Sequence, residues 1–246
     1  MTSQRTAIVL GGSGSVGAAL LRELFRSDAF RTVISVSRRS LSEAVAAAHE
    51  TGHTLIEALV PDMTPQSLFA ATLGAARECE GELTGFSVLG VGAGTAKLTI
   101  DQHRAVDVAL NDAFARALRE SGKVRHLALM TAVGADPAAS DTGSGAAGMA
   151  RYNRVKGEAE AAVRAGGPPI VSVFRPAMIL GSQHTPRLMA TVLPWLSWLT
   201  PAIYKSISAE QIARAMVASA VHQPAASAVY HYPEMILFHR SMRWNS

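Results

Sequence analysis

The sequence predicts an α/β fold: a doubly wound parallel sheet with helices on both faces. Three observations predict it. Short apolar, partly β-branched runs alternate with stretches of helical periodicity along the chain. A glycine-rich turn joins the first such run to the first helix. The 246 residues contain no internal repeat and no linker that would divide them, and they are enough for one large domain.

The elements follow in order. Thr6-Ala-Ile-Val-Leu10 reads as a buried strand. Val16, Leu20, Leu21, Leu24 and Phe25 recur at helical spacing after it. Between them stands Gly11-Gly-Ser-Gly-Ser-Val-Gly17, and strand, glycine turn, helix is the context of a dinucleotide-binding loop. Glycines allow the tight turn and the approach of backbone N–H groups to a diphosphate, and the helix N-terminus adds partial positive charge. Gly12, Gly14 and Gly17 fit one spacing of that loop; Gly11, Gly14 and Gly17 fit another. The plain alternative is an ordinary Gly/Ser turn.

Arg31 to Ser37 reads as the second strand and ends in Arg38-Arg39, with no acid before Glu43. An acid there would serve the ribose hydroxyl of NAD, whereas guanidinium groups suit the 2′-phosphate of NADP. NADPH is therefore the expected cofactor, against the alternative of two surface arginines. Ser40-Leu-Ser-Glu43 has the pattern of a capping box. His49-Glu-Thr-Gly-His53 matches the zinc motif H-E-x-x-H, but Thr51-Gly52 is a helix stop and His53 to Leu59 reads as the third strand. The two histidines then fall on different elements, and no metal is expected.

Asp62 and Met63 follow that strand, and Thr64-Pro65 opens a helix running to about Glu80. Gly85 to Gly90 is the fourth strand, with small residues after it that leave room for a cofactor. Thr99 to Gln102 is a second capping-box pattern, opening a long helix marked by Val106, Leu110, Phe114, Ala117 and Leu118. Val124 to Met130 is the fifth strand. Residues 134–150 form an Ala/Gly/Ser/Asp-rich loop, expected to be a mobile flap. A helix carrying Tyr152 and Lys156 follows, then a sixth strand over 169–175. Residues 178–204, with Trp195 and Trp198, form either a packing helix or an apolar lid over a substrate. Ser208 to Gln211 opens a last clear helix, 228–232 reads as a short final strand, and 234–246 is a tail without a readable element.

Composition narrows the function. The net charge of +4 comes from scattered arginines, which argues against a nucleic-acid partner. Cys79 is alone, so no internal disulfide forms. No run is long and apolar enough for a bilayer span, and no secretory leader precedes the first strand. A cytoplasmic protein is expected.

Tyr152 and Lys156 are four apart and share a helix face. A phenol titrates near about 10, and a nearby ammonium favours the phenolate. Such a pair can exchange a proton with a carbonyl or alcohol oxygen. Thr131, at the end of the fifth strand, adds a hydroxyl.

The glycine loop, Arg38-Arg39, Thr131-Ala-Val-Gly-Ala-Asp136, Tyr152-x-x-x-Lys156-Gly-Glu158 and Phe174-Arg-Pro-Ala-Met-Ile-Leu-Gly181 together resemble the short-chain dehydrogenase/reductase superfamily. More narrowly, they resemble its atypical branch, similar to the Tat-interactive-protein-like oxidoreductases. The resemblance spans about residues 6–220. It implies a single Rossmann-type NAD(P)-binding domain over 1–246 with a small C-terminal lobe, residues 134–150 and 178–204 lying on the substrate side. It implies NADPH (NADP+) held by Gly11, Ser13, Gly14, Ser15, Val16, Gly17, Arg38 and Arg39, with Asp62, Met63, Gly90, Val91 and Gly92 flanking the adenosine half. Lys156 would bind the nicotinamide ribose and lower the pKa of Tyr152, the proton donor or acceptor. Thr131 would polarise the substrate oxygen, and backbone at Pro176, Ala177 and Ile179 would hold the carboxamide.

Two features depart from the family pattern. Ala132 stands where relatives often carry a second serine, and the stretch between residue 131 and Tyr152 is longer by a small, polar insertion. The leading expectation is an NADPH-dependent reductase of a small carbonyl compound. A non-catalytic NADPH-binding regulator and an isomerase or dehydratase that keeps its cofactor are the alternatives. Relatives often pair through helices such as the one over 99–122, so a homodimer is a candidate, although packing on the sheet explains the same apolar stripe.

Overall fold

The computed structural model describes residues 5–140, 146–180 and 201–241. The sheet is the expected one. Its strands are β1 (Arg5–Leu10), β2 (Phe30–Ser37), β3 (Thr54–Leu59), β4 (Leu83–Ser87), β5 (Val124–Met130), β6 (Ile170–Phe174) and β9 (Ala228–Tyr230). They pair in the order β3-β2-β1-β4-β5-β6-β9, every pairing parallel. The chain leaves β1 in one direction to β2 and later returns on its other side to β4, which opens the ligand crevice of a doubly wound sheet at their carboxyl ends.

Alternation along β1 shows why both faces must be covered. Ala7 and Val9 pack into one apolar cluster with α1 (Ser15–Leu24) and α7 (Ala209–Val221). Ile8 and Leu10 pack into the other with α3 (Pro65–Glu78) and α5 (Asn111–Glu120). All four are fully buried, and a strand buried on both faces reads as a continuous apolar run.

Local chemistry sets three of the helix starts. Thr64 caps α3 by accepting from the Ser67 amide, with Pro65 at the first helical position. Both halves of a capping box form at α4 (Ile100–Arg104), between Thr99 and Gln102, and again at α7 between Ser208 and Gln211. The expected box at Ser40 does not form. Helix α2 (Ser42–Glu50) starts after Leu41 with no side-chain cap. Glu57 of β3 accepts from the Ser40 hydroxyl at 2.8 Å and from the Leu41 amide at 2.6 Å, so a tertiary partner replaces the local one.

Three further differences bear on the site. The long helix is not uniform: a π turn (Ala105–Leu110) joins α4 to α5. The stretch after β5 is tied down rather than free over its described first half. Val133 N–H donates to Pro176, Asp136 N–H donates to Asn153, and the Arg154 guanidinium donates to the Ala139 carbonyl. Finally, part of the tail forms helix α8 (Tyr232–Ser241), with Met235 buried against the first apolar cluster.

A small parallel pair, β7 (Ile179–Leu180) with β8 (Ile207–Ser208), joins the two sides of the expected lid. Residues 181–200 of that lid, including Trp195 and Trp198, lie outside the described residues. So do 141–145 of the substrate loop and 242–246 of the tail. The apolar stripe offered for a homodimer is largely used within the chain: Leu110, Phe114, Ala117 and Leu118 are buried.

Candidate functional site

The glycine loop follows the spacing of Gly11, Gly14 and Gly17. Gly11 has φ +90, and a Cβ there would stand 2.8 Å from the Leu89 amide nitrogen. A Cβ on Gly17 would stand 2.1 Å from the Gly11 carbonyl oxygen, so only glycine lets α1 start this close to β1. The Gly14 amide closes the turn on the Gly11 carbonyl at 3.1 Å. Gly14 is the N-cap of α1, without a side-chain cap and with no acid in the first turn. Ser13, Gly14 and Ser15 are exposed while Val16 and Gly17 are buried. An exposed helix N-terminus free of acids suits an anionic group.

Beside this loop lies a cavity of about 260 Å³ lined by Ser13, Arg38, Arg39, Ser40 and Leu41. Both arginines are exposed, and no acid lines the cavity. The Ser37 hydroxyl donates to the Arg39 carbonyl at 2.8 Å and fixes the turn that presents them. Gly14 leaves open space over the turn: a Cβ there would meet nothing nearer than the Gly11 carbonyl at 3.6 Å. A phosphorylated ribose fits these residues by charge and by room. Asp62 is occupied otherwise. Its carboxylate accepts from Ser67 at 2.7 Å and from Thr64 at 3.2 Å, and the Ser67 bond chiefly holds its pKa below the usual value. Met63 beside it takes the left-handed conformation at φ 45.

The pair expected to do chemistry lies on α6 (Ala146–Gly166). Helix α6 is braced from α4 by Arg104, whose Nε and Nη2 donate to Glu158 at 2.7 and 2.8 Å. Gly157 lets the 131–139 stretch lie against α6, since a Cβ there would fall 2.4 Å from the Asp136 carbonyl carbon. Lys156 is 5% exposed, and its Nζ lies 5.6 Å from the centroid of the Tyr152 ring. That ammonium donates to Oδ1 of Asp107, a residue of the π turn that is itself 1% exposed. Oδ2 of Asp107 accepts from the Val91 amide at 3.1 Å and lies 3.3 Å from Nε2 of His103. The His103 ring stacks on the Tyr152 ring at 5.8 Å between centroids.

Gly90 makes room for this arrangement. A Cβ there would lie 2.7 Å from Lys156 Nζ and 2.9 Å from Asp107 Oδ1. Gly92, at φ +64, turns the loop into a short 3-10 segment (Gly92–Lys97). Burial alone would raise the pKa of Asp107. The Lys156 charge, the His103 ring 3.3 Å away and hydrogen bonds from Lys156 and the Val91 amide outweigh it and bring the value to about 2. For Lys156, burial opposes the charge, but Tyr152, Asp107 and Glu160 outweigh it and hold the pKa above the usual lysine value.

Thr131 is placed differently from its expected role. Its hydroxyl donates to Glu160 Oε1 at 2.7 Å. Arg175 holds the same carboxylate through Nε at 2.8 Å and Nη2 at 2.6 Å, and those bonds chiefly raise the Arg175 pKa. A hydroxyl has one proton, so in this arrangement Thr131 has none left for a substrate oxygen. Pro176 accepts from the Val133 amide at 2.9 Å, and Ile179 pairs with Ile207 in the β7–β8 ladder, with Ala177 between them in sequence.

Asp107 and His103 were missed from the sequence. The available signal was His103, Asp107 and Asn111 recurring at four-residue spacing, which puts them on one helix face. The H-E-x-x-H histidines stay apart: His49 lies on α2, and His53 lies past the stop, its Nδ1 3.0 Å from the Thr51 hydroxyl. Among the described residues no three His, Cys, Asp or Glu side chains cluster to hold a metal.

The chain resembles short-chain dehydrogenase/reductase structures over nearly its whole length. A short-chain dehydrogenase/reductase from Serratia marcescens matches with TM-score 0.67 and 20% identity, covering 96% of this chain and all of that one. BdcA in complex with NADPH matches at 0.60 and 19%, covering 94% of each chain. L-Sorbose reductase from Gluconobacter frateurii, complexed with NADPH and L-sorbose, matches at 0.63 and 16%, covering 94% of this chain and 96% of that one. The Rossmann-like fold is theirs. No family model matches the sequence.

Among curated proteins, the mitochondrial protein fmp52 of Aspergillus fumigatus is 27% identical over 223 residues, 85% of this chain and 84% of that protein. The mitochondrial protein FMP52-1 of Scheffersomyces stipitis is 28% identical over 187 residues, 73% of this chain and 70% of that protein. These names overturn the expectation of a cytoplasmic protein and point to a mitochondrial setting. The sequence argument had excluded only an apolar secretory leader, which has no bearing on mitochondrial import. Among the described residues no helix is long and apolar enough to cross a membrane.

Proposed function

We propose that this protein is an NADPH-dependent oxidoreductase of the short-chain dehydrogenase/reductase type that reduces a small carbonyl compound, with Tyr152 as proton donor. The observation that carries the reading is the acid-free cavity between Ser13 and the Arg38-Arg39 pair, beside the open N-terminus of α1. In this reading Gly11, Ser13, Gly14, Ser15, Val16 and Gly17 hold the diphosphate by backbone and Arg38 and Arg39 take the 2′-phosphate. Asp62, Met63, Gly90, Val91 and Gly92 line the adenosine side, mainly by backbone. Lys156 takes the nicotinamide ribose, and backbone at Pro176, Ala177 and Ile179 the carboxamide. The narrower likeness to the atypical, Tat-interactive-protein-like members belongs to the same proposal.

The bound coenzyme supplies hydride. The chain's own contribution is the proton: the Tyr152 phenol gives it to the substrate oxygen, with the Lys156 ammonium 5.6 Å from its ring centroid to balance the charge left behind. Residues 134–150 and 178–204 would form the substrate side of one domain.

One observation favours a second reading, a non-catalytic NADPH-binding regulator. The only proton on the Thr131 hydroxyl is committed to Glu160. Lys156 and the glycine loop would serve coenzyme binding alone equally well.

Calorimetric titration with NADPH and NADH, on the unaltered protein and on Arg38→Ala/Arg39→Ala, tests the coenzyme reading. NADPH should bind at least about tenfold more tightly than NADH, and the double substitution should abolish the preference. Binding of neither nucleotide overturns it. Turnover on a panel of aldehydes, ketones and quinones separates reductase from regulator: NADPH binding without oxidation of NADPH by any of them favours the regulator.

A further inference from the structure

We propose that the cavity at the amino edge of the sheet, bounded by Arg5, Arg125 and His126, is a binding site for a small organic carboxylate, separate from the coenzyme site. The inference goes beyond the coenzyme reading and does not depend on it.

The cavity measures about 240 Å³ and lies where β1, β4, β5 and β6 begin. Every pairing in the sheet is parallel, so this edge is opposite the carboxyl ends that carry the glycine loop. Strand alternation builds it. Phe86, Ala128 and Phe174 belong to the apolar cluster on the face covered by α1 and α7. Thr84, His126 and Ile170 stand two or four positions earlier on the same strands, so they share that face. In register, Thr84 pairs with His126 and His126 with Ile170. Helix α7 ends at Val221, and Ala220 with residues 223–225 closes the other side of the space.

The lining holds polar groups with unused capacity. His126 is 7% exposed; its Nε2 lies 2.9 Å from the Ser172 hydroxyl, and its Nδ1 has no partner among the described residues. A buried ring nitrogen left unpaired costs free energy that a ligand oxygen would recover. Arg5 packs over the Phe30 ring at 5.1 Å and donates to the Ala220 and Val221 carbonyls at 2.8 and 3.4 Å. Those bonds fix the guanidinium with two of its five N–H groups. Burial lowers the Arg5 pKa, opposed only by the charge of Glu82, with which it forms no ion pair among the described residues. Arg125 is exposed and likewise has no ion pair there.

Charge and size choose the ligand. The charged groups of the lining are Arg5 of β1, Arg125 of β5 and Glu82 just before β4, so cations lead by one. The α7 and 223–225 side adds no titratable group, and Ser172 of β6 is uncharged. Planar carboxylates match the guanidinium fork. One water takes roughly 30 Å³, so the space suits a molecule rather than a single ion. Ile170, Pro224 and Ala225 offer apolar contact to a short carbon chain.

The test is NMR titration of the whole protein with succinate and, separately, with inorganic phosphate, following the His126 ring signals among the eight histidines. Succinate should saturate with a Kd at or below about 5 mM. It should raise the His126 pKa from about 4 to about 5 or higher, because an anion favours the imidazolium. Arg125→Gln, a change at an exposed side chain, should weaken succinate at least about fivefold. Arg31→Gln, exposed on the same edge but outside the cavity, should leave affinity within about twofold. No saturation at His126 overturns the proposal, and so does an equal loss from Arg31→Gln, which would mark diffuse surface charge. Phosphate binding as tightly as succinate overturns the assignment to an organic carboxylate. None of these results bears on NADPH binding at the opposite edge.

Discussion

The hydroxyl of Thr131, at the end of β5, donates to the carboxylate of Glu160 on α6 at 2.7 Å. The bond joins sheet to helix beside the Tyr152/Lys156 pair and makes Thr131 part of a buried network with Arg175. Thr131→Val should lower stability by about 1–2 kcal/mol, the cost of leaving a buried carboxylate short of one donor. NADPH affinity should stay within about twofold. Urea unfolding and calorimetry read the two quantities, and a large loss of coenzyme binding would show that Thr131 reaches the ligand after all.

Asp107 and Lys156 form a buried ion pair, so removing either partner alone leaves an uncompensated charge. Lys156→Met and Asp107→Asn should each destabilise by about 3–5 kcal/mol. Joining Lys156→Met to Asp107→Asn should cost clearly less than the sum of the two single changes, because nothing charged remains buried. Strict additivity in denaturant titrations would mean that the two groups do not interact.

Two glycines of the turn should respond in opposite ways. Gly17→Ala places a Cβ 2.1 Å from the Gly11 carbonyl oxygen, and the turn must open, at a cost above about 2 kcal/mol. Gly14→Ala meets nothing closer than 3.6 Å, and Gly14 already has an extended conformation at φ −78. It should fold with stability within about 1 kcal/mol of the unaltered protein. Its methyl group stands where a diphosphate would approach, so NADPH affinity should fall. Melting temperature and calorimetry together separate these outcomes.

His126 makes stability depend on pH. Burial, helped by the Arg5 charge, lowers its pKa to about 4, and Nε2 lies 2.9 Å from the Ser172 hydroxyl. Unfolded histidine titrates near about 6.5, so between these values the unfolded chain binds a proton that the folded chain refuses. Stability should therefore be full above about pH 6.5 and fall as pH drops toward 4, by no more than about 3 kcal/mol. Asp107, held to about 2, adds a second loss at still lower pH, where its paired carboxylate is finally protonated. His126→Gln should flatten the first fall and leave the second; an unchanged slope between pH 6.5 and 4 would assign it to other groups.

Sequence alone determined the sheet, the capped starts of α3, α4 and α7, and the glycine loop. These rest on nearest neighbours in the chain: apolar runs buried on both faces, capping residues three positions from their partners, and a turn that only glycine can make. It also placed Arg38-Arg39 at the end of β2 and Tyr152 and Lys156 on one helical face. Tertiary structure alone decided which groups these side chains meet. Lys156 finds Asp107 across 49 residues, and Thr131 finds Glu160 across 29. Glu57 takes over the start of α2 from the next strand, where the local pattern had put a capping box. Such partners are set by which elements the crossovers bring side by side and by one π turn that rotates Asp107 inward. The four-residue row of His103, Asp107 and Asn111 marks a polar helix face but does not name its partners, because the energy that selects each pair is the desolvation of a charge once the chain has already closed around it.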